Sequence, residues 1–169
     1  MTLEEALKTA IEYETKVVAV YRGACDKIQN PVGQRVFRVL AREEEGHVAY
    51  LKSRLDQWWK DGKIDIHGLE TAIPSKSAID RAAGELRTDM PKKAVDVELE
   101  LLNKALDIEK KTSEYYGKLV KEIPGEEKKL FKRFLEIEVG HQTIVEAEIN
   151  SVKGLGVWFD MDEFRLEAG

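Results

Sequence analysis

Apolar side chains recur along this chain in alternating steps of three and four, the spacing that lines one face of an α-helix. Leu3, Leu7, Ala10, Val17 and Tyr21 mark the first stripe. Thr2 with Glu5 three residues on makes a capping-box pattern, and the stripe predicts a helix to about residue 28. Asn30-Pro31 then supplies a stop, a new cap and a proline suited to a first helical turn. Phe37, Leu40, Leu51 and Leu55 predict a second helix over about 32–59. From 61 to 91 the pattern breaks at Gly62, Gly68, Pro74, Gly84 and Pro91, which predicts a crossover carrying a short helix around 77–86. Leu102, Ala105, Tyr116 and Leu119 predict a third helix over 92–121. After a turn at Ile123-Pro124-Gly125, Phe131, Phe134, Val145 and Ile149 predict a fourth, ending near 152.

The predicted fold is all-α, a four-helix bundle over 1–152 made of hairpins 1–60 and 92–152 joined by the crossover 61–91. The tail 153–169 is expected to pack on the bundle or on a partner subunit. Trp58, Trp59, Trp158, Phe159 and Phe164 are expected at the bundle end or at such a contact.

The two hairpins repeat one another. An offset of 95 carries Ala10, Glu14 and Tyr21 onto Ala105, Glu109 and Tyr116. An offset of 94 carries Phe37, Glu44, Gly46, His47 and Leu51 onto Phe131, Glu138, Gly140, His141 and Val145. The one-residue difference falls in the turns.

Counting outward from each turn puts Glu14 level with Glu44 and His47, and Glu109 level with Glu138 and His141. Glu and His three apart share a helix face, so each Glu-x-x-His pair can reach one ion. All six residues fall where the stripe calls for an apolar side chain, and carboxylates there must be paired or bound to metal. Four carboxylates and two neutral imidazoles match the charge of two divalent cations. One imidazole per ion among carboxylates suits iron or manganese, with zinc as a possible substitute. A Glu from each of two helices with Glu-x-x-His from the other two is the ligand set of dimetal carboxylate bundles.

Tyr21 and Tyr116 follow the lone glutamates by seven residues, so their hydroxyls are candidates to bond a ligand carboxylate or to supply a proton or electron. An amphipathic core tyrosine fits that position equally well. Gly46 and Gly140, beside each histidine, cost about 1 kcal/mol relative to alanine. This suggests that close packing or a local bulge is needed there. His67, without a Glu three before it, reads as a surface or loop residue.

Composition narrows the function classes. The chain is 35% charged with a net charge of −5, and no basic block offers a nucleic-acid surface. Cys25 is the only cysteine, which excludes an internal disulfide and a cysteine-ligated iron or zinc site. No apolar run approaches a membrane span, and Met1-Thr2-Leu3-Glu4-Glu5 does not look like an export signal, so the expected location is the cytoplasm.

The segments 10–14 (Ala-Ile-Glu-Tyr-Glu), 40–47 (Leu-Ala-Arg-Glu-Glu-Glu-Gly-His), 109–116 and 134–141 (Phe-Leu-Glu-Ile-Glu-Val-Gly-His) together resemble the rubrerythrin family of the ferritin-like superfamily. The stretch 156–164 also looks like tails found in rubrerythrin-like proteins. The resemblance implies two irons on Glu14, Glu44, His47, Glu109, Glu138 and His141, and reduction of hydrogen peroxide or dioxygen by a homodimer. Two departures stand out. Thr112 occupies the place where peroxide-reducing members carry an extra Glu, and the cysteines of the family's rubredoxin-like iron domain are missing from this sequence. Electrons would therefore come from a separate donor such as a rubredoxin. A ferroxidase or iron store of the bacterioferritin type, a manganese catalase and a metal-free interaction module are the alternatives.

Overall fold

A computed structural model describes residues 1–83, 92–156 and 158–160, with backbone alone at 82–83, 92–95 and 155. Four long helices carry the architecture: α1 (Leu3–Lys27), α2 (Pro31–Asp61), α4 (Lys92–Glu122) and α5 (Lys128–Leu155), with the short α3 (Lys76–Ala83) in the crossover. Among the described residues there is no strand. The all-α class expected from the periodicity is the class observed. The later part of the predicted crossover helix, the expected tail beyond 160 and Phe164 lie outside the described residues.

Local chemistry sets the ends. Thr2 and Glu5 close a reciprocal capping box on α1, and Asn30 caps Val32 and Gly33 at the start of α2 with Pro31 at its first position. Gly62 and Gly156 end α2 and α5 with φ of 62° and 70°, a left-handed conformation that glycine adopts without penalty.

The helix directions follow from the short turns and from two cross-helix bonds. Turns of a few residues make α1 antiparallel to α2, and α4 antiparallel to α5. Tyr21 bonds Glu109 while Tyr116 bonds Glu14, so α1 also runs antiparallel to α4. Helices α2 and α4 are therefore parallel, and the crossover returns the chain over a helix of 31 residues, about 46 Å. On its way Tyr50 and Arg54 both donate to the His67 carbonyl at 2.9 Å, and Glu43 accepts from Thr71 Oγ1 at 2.6 Å and the Ala72 amide at 3.1 Å. Ile73 and Ile79 then enter the core.

That core has two parts. One gathers Val17, Phe37, Leu40, Leu102, Ile144 and Val145; the other gathers Leu7, Leu51, Tyr116, Leu119, Phe131 and Phe134. Each fully buried large side chain contributes about 1.5–3 kcal/mol. Between the two along all four helices lies one polar layer, and the six predicted ligands form it.

Candidate metal centre

Glu14, Glu44, Glu109, Glu138, His47 and His141 are all buried, one level of each helix supplying its share. Two sets of potential ligand atoms each converge to within 4.8 Å of one another: Glu14, Glu44, His47 and Glu138, and Glu44, Glu109, Glu138 and His141. Glu44 and Glu138 belong to both. The Glu-x-x-His helices thus place their carboxylates between two positions, while Glu14 and Glu109 each serve one.

The histidines face this centre through Nδ1. His47 Nδ1 lies 3.0 Å from Glu44 Oε2 and 3.5 Å from both Glu14 Oε2 and Glu138 Oε1. His141 Nδ1 lies 2.5 Å from Glu44 Oε1, 3.8 Å from Glu109 Oε1 and 4.0 Å from Glu138 Oε2. The imidazoles stack with centroids 5.6 Å apart and planes 11° from parallel. Tyr21 donates to Glu109 and Tyr116 to Glu14, each from the helix opposite its acceptor.

Much of this polar layer has no hydrogen-bond partner. Glu14 Oε2, Glu109 Oε2, both Glu138 oxygens, His47 Nε2 and His141 Nε2 are buried without one. Leaving one such group unsatisfied costs about 1–3 kcal/mol, and more if it is charged. Orphaned carboxylate oxygens that converge with imidazole nitrogens are what a bound metal cation would satisfy, so the donor set fits a metal ion.

The electrostatics agree. Burial, followed by the charge of Glu44, raises the Glu14 carboxyl to about 8 and the Glu109 carboxyl to about 7. Burial and the charge of Glu44 also hold Glu138 well above the usual carboxylate range. Burial pushes Glu44 the same way, but the His141 and His47 charges outweigh it and hold it well below that range. Burial pushes both histidines down, but the charge of Glu44, helped by Glu14 at His47 and by Glu109 at His141, outweighs it and raises them. Without cations, protons take their place as the compensating charge.

Other expectations meet mixed outcomes. His67 is exposed and pairs with Asp65 at 3.0 Å. Trp59 is 58% exposed and donates to Glu4 at 3.1 Å. Trp158 is buried, packs edge-on against Phe37 at 5.6 Å and donates to Glu98 at 2.8 Å. The expectation for the glycines is corrected. A Cβ on Gly46 would meet nothing within 4 Å, and one on Gly140 only Ile73 Cγ2 at 3.6 Å and Pro74 O at 3.8 Å. The helices continue unbroken through both. Within the helices, Gly33 does need its bareness: a Cβ there would stand 2.8 Å from Trp158 Cε2.

Three carboxylates escaped the sequence reading. Glu43 can join His47 and His141 in a further convergent group. Glu98 and Glu148 are buried and bond the Trp158 indole and the Phe159 amide. Their signal was the same one that marked the ligands: Glu98 precedes Leu102 by four on its stripe, and Glu148 follows Val145 by three.

No family model matches the chain, and no curated protein does. Among solved structures, it is similar to a hypothetical protein from Pyrococcus furiosus, at 25% identity and a TM-score of 0.65, over 90% of this chain and 91% of that one. The likeness spans the whole bundle. It brings no activity with it.

Proposed function

We propose that the chain is a non-haem dimetal redox protein of the rubrerythrin kind, holding two iron ions and reducing hydrogen peroxide with electrons from a separate donor. One observation carries the reading: two buried ligand sets that share Glu44 and Glu138. Glu14 and His47 would complete one ion's shell, and Glu109 and His141 the other's. Two ferrous ions so close together would supply the two electrons that an O–O bond takes up on cleavage.

The chain's own residues support that chemistry. Apolar clusters above and below the layer keep bulk water from the carboxylates. Tyr21 and Tyr116 each hold a phenolic proton against a ligand carboxylate, which fixes the orientation of Glu109 and Glu14 and keeps a proton beside the reacting region. Burial raises both phenols well above 10, so they remain protonated donors at neutral pH.

Anaerobic loading with Fe²⁺, followed by timed oxidation with peroxide and with dioxygen in separate runs, tests the reading. Oxidation much faster with peroxide is expected. A second reading, ferroxidase and iron storage, draws on Thr112. This residue is buried in the layer but turns its hydroxyl to the Ile108 carbonyl at 2.9 Å, so α4 offers no extra carboxylate there. Oxygen-driven uptake of many irons per chain, into a large hollow shell, would favour storage over the peroxidase.

A further inference from the structure

Tyr116 does not end at the metal layer. Its ring lies 6.0 Å from that of Tyr115, and Tyr115 stacks on Tyr13 at 4.7 Å with planes only 12° apart. Tyr13 is half-buried on the outer side of α1, with the Lys16 ammonium 5.4 Å from its ring centre. Three oxidisable rings in contact therefore run from Glu14, which accepts the Tyr116 hydroxyl, to the protein surface.

The other half of the repeat lacks this path. The offset of 95 places Val20 where Tyr115 stands and Ile108 where Tyr13 stands. Tyr21, the counterpart of Tyr116, meets Phe37 at 5.8 Å, and only beyond it the buried Trp158. Phenylalanine is far harder to oxidise than tyrosine or tryptophan, so that route is interrupted at its first step. Core packing alone explains apolar rings at these positions. The Tyr115 hydroxyl also donates to the Ala6 carbonyl at 3.0 Å, which accounts for one phenol; packing does not require the second, Tyr13, stacked on it where the other half has Ile108.

We propose that Tyr116, Tyr115 and Tyr13 form a relay that carries oxidising equivalents from the metal centre to the surface, where a soluble thiolate quenches them. The proposal rests on the function above only for its oxidant, peroxide acting at the loaded centre. In the first step Tyr116 loses one electron to that centre and passes its phenolic proton to Glu14. Tyr13 then yields one electron through Tyr115 and its own proton to water, while Tyr116 recovers an electron and takes its proton back from Glu14. Finally the thiolate gives one electron to the Tyr13 radical, which regains a proton from water, and leaves as a thiyl radical. Electrons and protons balance at each step. The benefit is protective: when the donor is lacking, oxidation is drawn away from the ligand histidines.

The test separates the relay from the peroxide chemistry by using the full chain loaded with Zn²⁺, which cannot change oxidation state. A flash-generated ruthenium(III) tris-bipyridine oxidant takes an electron from surface aromatics, and the radicals are followed by electron paramagnetic resonance. Tyr50 and Trp59 give a background common to all variants. Wild type is expected to show a signal that Tyr116→Phe removes, and Tyr115→Phe is expected to reduce that signal at least about tenfold while leaving Tyr13 oxidised. Equal Tyr116 signals in wild type and Tyr115→Phe, or none in either, overturn the relay. A second arm mixes Fe²⁺-loaded protein with peroxide and measures oxidation of His47 and His141 by mass spectrometry. More damage in Tyr115→Phe than in wild type is expected, and equal damage counts against the protective role. No consumption of peroxide by any form, with the ruthenium result intact, overturns the peroxide reading and leaves the relay standing.

Discussion

Tyr21 on the first helix donates its hydroxyl to Glu109 on the fourth element of the chain, and the reciprocal bond joins Tyr116 to Glu14. Each lone glutamate is thus steadied by a tyrosine two turns along from the other one. This exchange ties the two hairpins together at the level of the buried polar layer. Replacing Tyr21 with Phe leaves a Glu109 oxygen without its donor in a dry interior. The expected cost is about 1–3 kcal/mol in the metal-free protein, read as a lower midpoint in urea. An unchanged midpoint would mean that the bond contributes nothing.

The shared carboxylates predict unequal effects on stoichiometry. Glu14→Gln and Glu109→Gln each impair one ligand set, whereas Glu44→Gln and Glu138→Gln impair both. Titration with Co²⁺ should give about one tight ion per chain for the first pair and none for the second, since losing a ligand commonly weakens a site by an order of magnitude or more. Two tight ions in Glu138→Gln would exclude the bridging arrangement.

Metal-free stability should fall as pH rises. Glu14 and Glu109, at about 8 and about 7, stand above the unfolded carboxylate, so the folded chain keeps protons that the unfolded chain has shed. Their contribution is complete at low pH and is lost as pH rises through those two values. The raised histidines act with the same sign, and the depressed Glu44 matters only in acid, where its contribution is lost as pH falls. Between about pH 6 and pH 9 the metal-free melting temperature should drop by about 4 °C or more. Zinc should abolish the drop and release protons on binding, measurable in weakly buffered solution. A flat profile without metal would contradict the assignment.

Removing a buried, unsatisfied carboxyl should stabilise the empty bundle while destroying its metal response. Glu138 has neither oxygen hydrogen-bonded. Glu138→Leu should raise metal-free stability by about 1–3 kcal/mol, the cost of leaving a buried polar group unsatisfied. It should also eliminate stabilisation by Zn²⁺. A destabilised variant would indicate that the carboxylate is satisfied by something other than a cation.

The glycines give opposite signs for one substitution. Gly46→Ala meets open space in mid-helix and should stabilise by about 0.5–1 kcal/mol. Gly33→Ala drives a methyl group into Trp158 and should destabilise by about 1–3 kcal/mol despite the better helix propensity. Thermal melts of the two variants decide both.

Period and repeat by themselves determined the four long helices, the side each turns to the core, and the six polar residues at core positions. The reason is local. Helical geometry fixes which residues share a face, and a charge on a buried face needs a partner wherever the chain goes next. Neighbouring helices decided the rest. That Glu44 and Glu138 stand between two positions, that Tyr21 reaches across to Glu109, and that Gly33 rather than Gly46 is sterically required all depend on which helices touch and at what height. Those relations join residues far apart in the chain, 102 positions between Glu14 and Tyr116 and more between Gly33 and Trp158. Spacing along one helix carries no record of what packs against it; that is decided only when apolar faces bury one another and bring the polar layer together.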